Sequence, residues 1–125
     1  MKKISIEAGG VKLEAELNDS KTAAAVFQAL PLEARGNRWG DEIYFSIPVR
    51  LGPEERATED VEVGEIAYWP PGHAFCIFFG PTPASDGEQI RAASPVNVLG
   101  SVKGDATLLR KVPNGAKVKL RKLEE

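Results

Sequence analysis

Apolar and polar residues alternate with a period of two over much of this chain, and that alternation predicts strands. Lys3-Ile4-Ser5-Ile6-Glu7 and Val11-Lys12-Leu13-Glu14-Ala15-Glu16-Leu17 each put their apolar side chains on one face, and Gly9-Gly10 turns one into the other. They read as a hairpin with one wet face. The period changes after Asn18-Asp19-Ser20, residues that favour helix N-caps. Ala23, Val26, Phe27 and Leu30 then recur at helical spacing until Pro31, which predicts a helix over 21–30. Gly36 to Asp41 is loop-like. Glu42 to Val49 returns to a strand pattern, with Pro48 near its end where the ladder can lose a donor. Arg50 to Asp60 is charged, holds Gly52-Pro53 and reads as an exposed excursion.

Two apolar runs then flank Pro70-Pro71-Gly72: Ile66 to Trp69 and Ala74 to Phe79. Both are short and rich in aromatic and β-branched residues, and proline followed by glycine presets a turn, so a central hairpin is expected. Tyr68, Trp69 and His73 carry polar handles at its turn end, where an aromatic can be apolar on one side and wet on the other. Pro81 to Ser94 reads as a long loop, a place where functional residues collect. Val96 to Leu99 forms a strand, and Gly100 marks a bulge or a close approach. Asp105 caps a second short helix, near 105–112, and Pro113-Asn114-Gly115 turns the chain into a last strand, Ala116 to Lys122. The fold expected is mainly β: one domain over residues 1–125, a closed eight-stranded antiparallel barrel with two short helices.

Composition narrows the function classes. With 16 basic and 18 acidic residues the formal net charge is −2, so no overall field attracts a polyanion and no nucleic-acid partner is expected. No stretch approaches the ~20 apolar residues of a membrane span, and the N-terminus lacks the apolar run of a signal peptide. A cytoplasmic location and no membrane partner are expected. Cys76 is the single cysteine and His73 the single histidine; together they cannot build a zinc site, and no metal or cofactor is expected. The oligomeric state is left open by these features.

Several segments resemble cyclophilin, the peptidyl-prolyl cis–trans isomerase family. Ala15-Glu16-Leu17 followed by Lys21 to Leu30 is similar to the family's first helix and the strand before it. Val98-Leu99-Gly100-Ser101-Val102-Lys103-Gly104 and Leu108 to Val112 are similar to its VFGKV-x-G strand and following helix. Gly64-Glu65-Ile66-Ala67 and Phe78-Phe79 resemble its G-x-L-S and Q-F-F strands. The whole chain is also similar to a group of short bacterial and archaeal cyclophilin-like proteins, through Tyr68 to Gly72, Phe78 to Ser85 and Ser94 to Gly100. The resemblance implies an eight-stranded barrel closed by helices.

The departures from cyclophilin concern its chemistry. The family weakens the prolyl amide by aiming an arginine of an F-H-R strand at it, against a barrier of ~20 kcal/mol. The matching strand here, Ile43 to Pro48, holds no arginine. The family's glutamine-glycine-glycine segment, its tryptophan and its histidine before the last core strand, where Val96 stands, are absent too. Phe79 matches the second phenylalanine of the family's pair, and Arg50 is the candidate for a relocated arginine.

The expected ligand-binding residues are therefore Tyr44, Trp69, Phe79 and Thr82, facing one shared pocket, with Ser85 and Asn97 as further polar contacts; catalytic residues are not assigned. The favoured function is a cyclophilin-like binding domain with an altered groove for a peptide or small molecule, lacking efficient isomerase activity. The alternatives are an isomerase using Arg50, or an enzyme of other chemistry using a groove carboxylate, Glu54 or Glu55.

Overall fold

The alternating ends of the chain pair with one another. In the computed structural model, which describes residues 2–123, strand β1 (Lys3–Ala8) lies between β2 (Val11–Leu17) and β10 (Lys117–Leu123), antiparallel to both. Ile4, Ile6 and Ala8 are fully buried with Leu13, Ala15, Val118 and Leu120, which is the apolar face the alternation marks out. Helix α1 (Lys21–Ala29) follows, its first turn capped by the Ser20 hydroxyl, which accepts from the Ala23 N–H at 3.1 Å. Ala23 and Val26 seat it on the same core.

Closure comes from a segment the sequence pattern missed. Leu32–Arg35 (β3) pairs with β10, and Asn37–Arg38 (β4) pairs with β5 (Glu42–Ser46). The sheet runs β3, β10, β1, β2, then β9 (Ile90–Lys103), β7 (Glu65–Trp69), β8 (Ala74–Phe78), β5 and β4. Its two end strands are thus halves of one segment, bent at Gly36, whose N–H bonds the Ala116 carbonyl while its own carbonyl accepts from Gly115. Counting that segment once, eight strands make the circuit, and every pairing is antiparallel. The stretch after Pro31 alternates over only four residues, Leu32 to Arg35, before Gly36, and its two apolar side chains, Leu32 and Ala34, are only half-buried.

Two further expectations are corrected, and the second helix lies where it was expected. The excursion Arg50 to Asp60 ends in a strand, β6 (Thr58–Val61), which lies off the circuit against the first half of β9. The loop expected over Pro81 to Ser94 gives way at Ile90 to β9, whose first half pairs with β6 and whose second half pairs with β2 and β7. The second helix, Ala106–Lys111, is a 3-10 helix capped by Asp105.

Inside the barrel, Phe45 and Phe75 stack with centroids 5.5 Å apart. Tyr68 is fully buried beside them. Its hydroxyl donates to the Val49 carbonyl and accepts from the Leu51 N–H, which straps the start of the 50–57 loop to the barrel. Among the described residues no helix is long and apolar enough to cross a membrane.

Candidate binding site

The period of two sorts the central strands into an inner and an outer face. On β5, Ile43 and Phe45 point into the main core while Glu42 and Tyr44 face outward; on β7, Ile66 and Tyr68 point in while Ala67 and Trp69 face out. On β8 the outward set is Ala74, Cys76 and Phe78. These outward residues would lie bare on an ordinary barrel. Here β6 and the first half of β9 fold over them, and Val61, Ile90, Ala92 and Val96 complete a second apolar cluster on the outside of the sheet.

The cover is incomplete, and it leaves a cavity of about 230 Å³. Trp39, Glu42, Tyr44 and Trp69 line one side, and Ala92, Ala93 and Val96 of β9 the other. Small alanines on β9 leave the room that the aromatics then frame. Trp69 is fixed from two directions. Its indole Nε1 donates to the Ser94 hydroxyl at 2.7 Å, and its ring lies so close to Gly72 that a Cβ there would come within 2.7 Å of it.

Glu42 is the acidic residue of this wall. It is 5% exposed, and no lysine, arginine or histidine among the described residues lies within ion-pair reach. Burial pushes its carboxyl up to about 7; the neighbouring Cys76 thiol works weakly the other way. The Cys76 thiol is itself held well above its usual range, first by burial and then by the nearby carboxylate, so it behaves as an inert apolar group.

The expected site residues divide sharply. Tyr44 and Trp69 share the pocket. Phe79 does not; alternation along the strand sends Phe75, Ile77 and Phe79 inward, so it is Phe78 that joins the outer cluster. Phe79 is fully buried at the barrel end, with the Arg38 guanidinium 5.1 Å from its ring centroid. Thr82 and Ser85 are occupied within their own loop: the Thr82 hydroxyl donates to the Arg91 carbonyl, and the Ser85 hydroxyl accepts from the Thr82 and Arg91 N–H groups. Asn97 is buried and bridges Glu54, Gly52 and Thr22. These four hold structure rather than line the cavity.

Glu54 and Glu55 are corrected as candidate bases. The Glu54 carboxylate accepts from the backbone N–H and hydroxyl of Thr22 at the start of α1, and Glu55 is exposed. Neither lines the pocket, and Arg50 is exposed and outside it as well. His73 ends the 3-10 turn Pro70–Gly72 in a left-handed conformation, φ 48°. Among the described residues no group of three His, Cys, Asp or Glu side chains is placed to hold a metal ion. What the pattern overlooked was Glu42, two residues before Tyr44 on an alternating strand and hence on its face, and Trp39, hidden in a stretch read as loop.

The fold as a whole has counterparts among known proteins. A model of the family described as Cyclophilin-like matches residues 2–121. The chain belongs to the cyclophilin-like family. The solution structure of the hypothetical protein AF2241 from Archaeoglobus fulgidus is similar over 98% of this chain and 95% of its own, at 39% identity and a TM-score of 0.83. No curated protein matches. Within this cyclophilin-like chain, the outward positions of β5 are Glu42, Tyr44 and Ser46, so the strand that carries arginine in cyclophilin presents a carboxyl and a phenol instead.

Proposed function

We propose that this cyclophilin-like chain is a binding domain whose outer pocket takes a peptide side chain or a small molecule, without efficient prolyl isomerase activity. The observation that carries the reading is the pocket's composition: three aromatic rings and small apolar residues around one buried carboxyl, with no cationic donor to polarise an amide. Ligand sites have this make-up, apolar walls with few polar groups. At about 230 Å³ the cavity is smaller than the ~300–1,000 Å³ typical of drug-sized ligands, which suits a single side chain or a compact molecule. Both tryptophans of the chain line it, so intrinsic fluorescence reports its occupancy directly. Titration with indole-, phenol- and proline-sized probes should change that fluorescence saturably, with amide shifts at Ala92 and Ala93 in NMR spectra. No saturable response to any probe would remove the reading.

A second reading rests on Glu42 alone. A carboxyl that titrates near neutral pH beside an apolar cleft is suited to general acid–base work, in place of Glu54 and Glu55. Turnover of a bound substrate that Glu42→Gln abolishes without weakening binding would establish it.

A further inference from the structure

We propose that the pocket is a cage for an alkylated ammonium group, with Trp39, Tyr44 and Trp69 as its aromatic walls and Glu42 as its counter-ion. The inference rests on the binding-pocket reading above and names the ligand class. A cation held over the faces of aromatic rings is attracted by their quadrupoles, most strongly when desolvated, and methylated ammonium groups are recognised in this way. Their methyl groups match apolar walls, and their diffuse charge is cheaper to dehydrate than a primary ammonium.

Two independent observations favour a cation over a neutral guest. The three aromatic side chains are not taken up in ring pairs or cation–π contacts among the described residues. Among the described residues the aromatic pair is Phe45–Phe75, and the protein's own cations sit over Phe27 and Phe79: Lys2 and Lys122 over the first, Arg38 over the second. Among the described residues Trp39, Tyr44 and Trp69 carry neither a stacked ring nor a cation, and the Trp69 ring is backed by Gly72. In addition, the one acidic group in the wall lacks a cation of its own among the described residues. An apolar guest would gain nothing from a buried carboxyl, whereas an ammonium supplies the missing partner.

Charge on Glu42 then governs affinity. Facing it are Tyr44 on its own strand and the Cys76 thiol on β8; β7 and β9 contribute Trp69, Ala92, Ala93 and Val96, which do not titrate. On β4, Arg38 lies on the opposite face, over Phe79 and bonded to Asp41. With the carboxyl at about 7, the anionic form that a cation prefers is populated above that pH and lost below it. Ammonium binding should release a proton near neutrality and tighten as pH rises.

The test compares choline with 3,3-dimethylbutan-1-ol, its neutral carbon isostere, by tryptophan fluorescence of the intact chain at pH 8 and pH 5.5. The cage predicts choline bound about tenfold or more tighter at pH 8, a preference reduced at pH 5.5 and in Glu42→Gln. Equal affinity at pH 8 overturns the ammonium assignment while leaving the pocket a binding site. Failure of both probes to bind also overturns it, and the fragment titration above reports separately on the pocket itself. A short peptide bearing trimethyllysine separates the sources: tighter binding than choline points to a protein side chain, weaker binding to a free small molecule.

Discussion

Asn97 and Glu54, 43 residues apart in sequence, are joined by a hydrogen bond of 2.8 Å from the Glu54 N–H to the Asn97 side-chain oxygen. The other end of the same amide donates to the Gly52 carbonyl and to the Thr22 hydroxyl, and the Glu54 carboxylate returns to Thr22. One buried side chain thus ties the 50–57 loop, β9 and the start of α1 together. Asn97→Ala removes the partner of the part-buried Glu54 N–H and Gly52 carbonyl and a bond to the buried Thr22 hydroxyl, where an unpaired buried group costs ~1–3 kcal/mol. Denaturant unfolding should show a loss of roughly 2–4 kcal/mol, with the pocket's ligand affinity unchanged.

Trp69 has a different role, and its removal should be milder. The indole is half-buried at the rim of the outer cluster, tied to Ser94 rather than packed in the barrel. Trp69→Ala should cost about 2 kcal/mol and abolish probe binding. Phe75→Ala, inside the barrel, should lie in the ~3–5 kcal/mol range of core aromatics. Equal losses in the two variants would mark Trp69 as core.

The contrast explains how far the sequence could be read. A strand with one wet face announces both itself and its facing, so the strands at the two ends of the chain were legible from Ile4, Ile6, Leu13, Val118 and Leu120. A strand covered on both faces shows only that it is a strand: Ala74 to Phe78 is buried throughout, and nothing local says which of Phe78 and Phe79 points inward. That choice depends on register with β5, where Phe45 opposes Phe75. Register also decided the site. Glu42 looked like the first polar residue of a strand until β6 and β9 folded over the outer face, a long-range event with no local signature. Thr82, Ser85 and Asn97 were chosen as polar residues near the groove, and all three are instead spent on backbone groups left without ladder partners.

Gly100 was legible, and for a steric reason. It stands where β9 shifts register between Ile66 and Ala67 of β7, with φ 154°, and a Cβ added there would lie 1.9 Å from the Glu16 carbonyl oxygen on β2. Both backbone strain and collision oppose any side chain. Gly100→Ala should destabilise the fold by roughly 3–5 kcal/mol in denaturant unfolding, a large effect for one added methyl. A loss under about 1 kcal/mol would show that β2 and β9 can separate locally at little cost.

Prolyl isomerisation offers a direct check on the altered groove. Removing one well-aimed electrostatic donor typically lowers a catalysed rate ~10²–10³-fold, and this pocket has no arginine. A standard X-Pro peptide should isomerise at close to its uncatalysed rate, and Arg50→Ala should change nothing. Robust catalysis lost in that variant would place Arg50 in the groove.

Glu42 should leave a signature in the pH dependence of stability. Its carboxyl is raised from 4.5 to about 7 in the folded chain, chiefly by burial. Between those values the folded state binds more protons than the unfolded one, so stability must fall as pH rises through that window. The contribution is intact below about 4.5 and lost above about 7, the reverse of a salt-bridged carboxylate. The full shift corresponds to roughly 3 kcal/mol. Glu42→Gln keeps the shape and removes the charge, so it should unfold at higher denaturant than wild type at pH 8 and nearly match it at pH 4.5. Comparing the two midpoints across that range checks the sign and the size together. A variant less stable than wild type at pH 8 would mean that the carboxylate is held by a favourable partner, and the cage would then lack the unpaired charge it needs.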